Sequence, residues 1–118
     1  MKKLLPIMMF VLLAFAGCQR GPAMYTQANN PQELLVNSEK FVNQTVKRSA
    51  HYTEEDWLVA VDQFVAMAKN FVENKNSMTE EEIARFNNMR LDFMEAAHAN
   101  GNENLTAQIK KVYGDIIQ

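Results

Sequence analysis

From Asn30 onward the chain repeats one pattern, with apolar residues returning every three or four positions between polar ones. Leu34, Leu35, Ser38, Phe41, Val42 and Thr45 make a first stripe. Trp57, Leu58, Val61, Phe64, Val65, Ala68, Phe71 and Val72 make a wider second one. Ile83, Phe86, Phe93, Ala96 and Ala97 share a third face, and Leu105, Ile109, Val112, Tyr113, Ile116 and Ile117 recur at the same spacing. That period is helical, since side chains three and four apart stack on one side of a helix. Neither Gly nor Pro interrupts residues 32–100, and strand-like alternation is not sustained there.

The starts are marked locally. Asn30-Pro31-Gln32-Glu33 offers a capping side chain, a proline where its missing N–H costs nothing, and a carboxylate in the first turn. Thr53-Glu54-Glu55-Asp56 and Thr79-Glu80-Glu81-Glu82 are capping-box patterns, with Tyr52/Trp57 and Met78/Ile83 at hydrophobic-staple spacing. The acids of those first turns are explained by the positive helix end rather than by catalysis. Asn100-Gly101 supplies a stop, and a last segment runs from about Asn104. Short connections make successive helices antiparallel, so the expected fold is all-α, an antiparallel three- to four-helix bundle.

The front of the chain breaks the pattern. After Met1-Lys2-Lys3, Leu4 to Ala16 carries no charge, and Ala16-Gly17 leads directly into Cys18. As a helix, those 13 residues would cover about 20 Å, short of the roughly 30 Å hydrocarbon core, so the segment suits a cleaved leader better than a permanent span. Phe15-Ala16-Gly17-Cys18 resembles the lipobox of bacterial lipoproteins, with Phe15 where that family usually has leucine. The resemblance covers the first 18 residues and implies that Cys18 is lipidated and becomes the mature N-terminus. It further implies a cell-envelope address. Gln19, in place of an aspartate, is like lipoproteins sent to an outer membrane, here facing the periplasm.

Residues 19–29 are rich in Gly, Pro, Asn and Gln and are expected to form a flexible tether with a reach of roughly 18 Å. The chain therefore divides into a signal peptide at 1–17, the lipidated cysteine and tether at 18–29, and a helical domain at 30–118.

Composition narrows the function classes. The 118 residues hold 12 basic and 14 acidic side chains, a formal charge of −2. Removing Lys2 and Lys3 with the leader leaves −4, which argues against a general nucleic-acid binder. One cysteine and two histidines leave no material for a disulfide framework or a zinc-finger cluster. Glu95 and His98 have the spacing of di-iron bundle ligands, but no second pair exists, because His51 has no glutamate three residues before it. No catalytic residue, metal or cofactor is assigned.

What remains is binding. Asn87, Arg90, Leu91, Met94 and His98 mix polar and apolar groups along one edge of the third helix, and Val59 stands on the otherwise polar face of the second. The expected role is a non-enzymatic binding or adaptor module. It is held to the membrane through Cys18, with an envelope protein or cell-wall component as partner contacted by Val59, Asn87, Arg90, Leu91 and His98. The alternatives are a tethered inhibitor or immunity-type protein, and a carrier of a small apolar ligand lined by Met67, Phe86, Met89 and Phe93.

Overall fold

A computed structural model describes residues 21–101 and 103–117, with side chains in the last helix described from 104 to 114. Four helices follow an extended segment: α1 (Pro31–Arg48), α2 (Glu54–Asn74), α3 (Glu80–Asn100) and α4 (Glu103–Ile117). The fold is the all-helical domain that the periodicity predicts, in the form of three long helices and a shorter fourth of 15 residues. Among the described residues, no helix is long and apolar enough to cross a membrane.

The starts form as their sequences dictate. Asn30 Oδ1 accepts from the Glu33 amide at 2.9 Å. Thr53 Oγ1 and Thr79 Oγ1 accept from the amides of Asp56 and Glu82, whose carboxylates accept in return from the Thr53 and Thr79 amides. These reciprocal bonds occupy donors that a helix end leaves open. The staple at α2 is an edge-on aromatic pair, Tyr52 and Trp57, with ring centroids 5.1 Å apart. Two short 3₁₀ turns, Ser49–His51 and Lys75–Ser77, join the three long helices.

Aromatic rings set the register inside. Phe71 of α2 stacks on Phe86 of α3 at 4.2 Å, and Phe64 stacks on Phe93 at 4.6 Å. One pair to the next is seven residues back on α2 and seven forward on α3, which makes the two helices antiparallel. α1 packs most extensively on α3, and α2 on α4. At the end of α3, Asn100 Nδ2 donates to Oγ of Ser49, the residue just after α1, at 2.9 Å, bringing the two C-terminal ends together. α1 and α3 are therefore parallel, as an up-down-up order requires.

Gly101 ends α3 for a reason other than left-handed backbone. Its φ is −97°, and its N–H donates to the Ala97 carbonyl at 2.8 Å. A Cβ there would lie 2.6 Å from Ala97 O and 2.6 Å from Leu105 Cδ2, so the absence of a side chain lets α4 fold back onto α3. Leu105 can rotate, whereas the carbonyl cannot. Gly101→Ala is expected to destabilise by about 1–3 kcal/mol. At Gly114, inside α4, an added methyl would meet nothing within 4 Å, and Gly114→Ala should stabilise by about 0.5–1 kcal/mol by restricting the unfolded chain. Opposite shifts of the two denaturation midpoints are the expected result, and shifts of the same sign would refute this account of the glycines.

Candidate functional site

The first described residues do not form the free coil expected for 19–29. From Gly21 to Asn30 the chain lies as an extended strap in the groove between α1 and α2, with Ala23 and Ala28 buried. It runs antiparallel to α1, since Arg48 Nη1 donates to the Gly21 carbonyl while Asn37 Nδ2 donates to that of Thr26. Along α2 it runs in the same direction as the helix: the amides of Ala23, Tyr25 and Ala28 donate to Tyr52 Oη, Gln63 Oε1 and Asn70 Oδ1. The flexible-tether expectation is thus corrected for residues 21–29, because an extended strand without strand neighbours finds its backbone partners among helix side chains.

Asn70 is the centre of that docking. It is 1% exposed, in the apolar core of α2. Its Oδ1 accepts from Ala28 N–H at 2.7 Å and from Tyr25 Oη at 2.5 Å, while Nδ2 donates to the Ala28 carbonyl at 3.1 Å and to Glu73 Oε1 at 3.2 Å. The amide side chain therefore pairs with both backbone groups of Ala28, as a neighbouring strand would. Tyr25 passes between the helices and meets Phe41 edge-on at 6.2 Å.

Burial pushes the Tyr25 phenol from 10.0 up to about 12, the nearby Ser38 hydroxyl opposing and the Glu73 carboxylate adding to the rise. A raised folded value means that the docked strap favours the neutral phenol. Below pH 10 both states keep the proton; as pH rises from 10 to about 12 the undocked phenol ionises first, and docking is lost. An ultraviolet titration of Tyr25→Phe against the native chain should lack one late-ionising phenol. If the phenol that disappears has an ordinary pKa, the docked geometry is wrong.

The residues singled out for partner contact do not form one exposed surface. Asn87 and Arg90 face α4: Asn87 Oδ1 accepts from Tyr113 Oη at 3.4 Å, and the Arg90 guanidinium lies 4.6 Å from the centre of the Tyr113 ring. Burial raises the Tyr113 phenol, with the Arg90 cation pulling it back. Leu91 and His98, on the flank of α3 next to Asn87, are exposed, and Val59 is exposed on α2. The mixed edge is thus divided, with Asn87 and Arg90 engaged by α4 and Leu91 and His98 left outside. Leu58, placed in the stripe of α2, is 59% exposed, and Ala60, Met67 and Asn70 are the buried neighbours instead.

Cys18 and its leader lie outside the described residues. Glu95 and His98 are both exposed, and no group of three or more His, Cys, Asp or Glu side chains that could hold a metal ion forms among the described residues. Met67, Phe86, Met89 and Phe93, proposed to line a ligand cavity, are buried within the core cluster, where Phe86 and Phe93 are stacked on other rings. The strap was missed because a single asparagine in an apolar stripe reads as a tolerated polar residue. Tyr25, an aromatic inside a polar interval, was the available signal. No protein-family model matches this chain, and no curated protein or solved structure matches it either.

Proposed function

We propose that this chain is an envelope lipoprotein whose helical domain works as a non-enzymatic binding or adaptor module beside the membrane that holds it. The observation that carries the reading is Phe15-Ala16-Gly17-Cys18, with the only cysteine of the chain directly after an uncharged run and two small residues. Each buried methylene of an attached acyl chain contributes about 0.8 kcal/mol, so two or more chains on one residue hold a small domain on a bilayer without a spanning helix. The outer membrane, with the domain in the periplasm, is the compartment that Gln19 favours.

On the domain itself, Leu91, Val59 and His98 are the members of the proposed contact set that face outward, and they define where an envelope protein or cell-wall component would be met. The dense aromatic interior favours this module over a carrier of an apolar ligand. Mass spectrometry of the membrane-extracted protein tests the anchor: an N-terminus at Cys18 carrying acyl mass is expected, and an intact Met1 with a free thiol would end the proposal. Pull-down from solubilised membranes should recover a stoichiometric partner that Leu91→Glu weakens and that Arg90→Gln, at a half-buried position against the Tyr113 ring, affects only through stability.

A further inference from the structure

Resting on the lipid-anchor reading, we infer that the docked strap fixes which end of the bundle meets the bilayer: the end where α1 passes into α2, carrying residues 48–53, faces the lipid surface. The strap enters its groove at that end. The Gly21 carbonyl is held by Arg48, the last residue of α1, and the Ala23 amide by Tyr52, just before the α2 cap. Three peptide steps separate Cys18 from Gly21, a span of at most about 11 Å when fully extended. A lipid-bearing sulfur on that leash cannot reach the opposite end. α2, with 21 residues, is about 30 Å long.

Charge does not supply the orientation. Lys47 and Arg48 close α1, His51 ends the turn after it, and Glu54, Glu55 and Asp56 open α2 beside them, so this end presents both signs to any headgroup. The short leash and the strap's polar clamp supply it. Asn70 grips Ala28 at the far end of the strap and Arg48 and Tyr52 grip its beginning, so the ten residues 21–30 add nothing to the swing of the domain. The other pole, at the Lys75–Ser77 turn and the start of α3, is then turned away from the membrane. An unclamped tether from Cys18 to Asn29 would instead allow every side of the bundle to touch the lipid.

The test uses the full chain, processed in membranes and reconstituted into phosphatidylcholine vesicles doped with a headgroup quencher. A fluorophore is placed either at Ala50→Cys, beside the α1–α2 turn, or at Asn76→Cys, in the turn at the other pole; both positions are exposed. Quenching is expected to be several-fold stronger at position 50 than at 76. Inserting a Gly/Ser stretch between Arg20 and Gly21, which lengthens the leash without touching the bundle, should bring the two values together. Asn70→Ala should reduce the contrast as well, with faster hydrogen exchange at the Ala28 amide. Equal quenching of the two labels in the parent chain would overturn the inference, as would a contrast that survives the insertion. Failure of the lipid reading has a separate signature: no acyl mass on Cys18 and no vesicle association by either label, with the Ala28 amide still protected.

Discussion

Phe93→Ala is expected to lose about 3–5 kcal/mol, the range for emptying a fully buried aromatic site. Phe93 is 0% exposed, and three other rings surround it. Phe41 of α1 stacks at 5.7 Å, Phe64 of α2 stacks at 4.6 Å, and Trp57 of α2 meets it edge-on at 6.2 Å. Its removal therefore leaves a void shared by three helices, which none of them can close without moving away from the other two. At about 0.05–0.15 kcal/mol per residue, a domain of this size is held by about 4–13 kcal/mol, so the loss is about a quarter of the stability or more. Phe71→Ala should cost less, because Phe71 lies at the edge with one stacked partner, Phe86. Leu91→Ala, on the exposed face of α3, is the control. Denaturant midpoints in the order Leu91→Ala, Phe71→Ala, Phe93→Ala, from highest to lowest, are the expected result. A Phe93→Ala midpoint level with the Leu91→Ala control would mean that the ring does not join the helices.

The same residues separate what was legible in the sequence from what was not. Caps and staples are interactions within five residues, so Asn30, Thr53 and Thr79 announce their helices without knowledge of the tertiary fold. Phe86 and Phe93 were readable as core because they fall seven apart on one helical face. Which neighbour covers a given flank is not local information. Arg90 and Leu91 are adjacent in sequence and differ by about 100° around the helix axis; α4 covers the first and leaves the second in water. Leu58 was misplaced for a related reason: it lies one step beyond Trp57 on a band that reads as wider than the surface its neighbours cover. The strap was least legible. Its conformation has no periodic apolar signature, and it is specified by partners as far as 46 positions along the chain, from Gln27 to Glu73.

Asn70→Asp turns that clamp into a pH-dependent one, with a sign opposite to that of most carboxylates. One oxygen of the aspartate still accepts from Tyr25 Oη and the Ala28 amide. The second occupies the place of Nδ2, which faces the Ala28 carbonyl at 3.1 Å and Glu73 Oε1 at 3.2 Å, both acceptors. Protonated, it donates to one of them; ionised, it is buried against both. Burial and the Glu73 charge thus raise its folded pKa above the roughly 3.9 of a free aspartate. A raised folded value gives docking that is intact below about pH 4 and is lost as pH rises through the folded value. The loss at neutral pH has a ceiling. The strap can leave its groove and return Ala28, Tyr25 and the carboxylate to water, so the variant should lose about 2–4 kcal/mol and then no more, with the helices still paired. Glu73→Gln in the Asn70→Asp background removes the like charge and should restore part of the docking. Exchange at the Ala28 amide, measured from acid to neutral pH, reads the strap directly, while helical circular dichroism reads the bundle. Parallel pH profiles for Asn70→Asp and the native chain would show that Asn70 Nδ2 does not hold the Ala28 carbonyl.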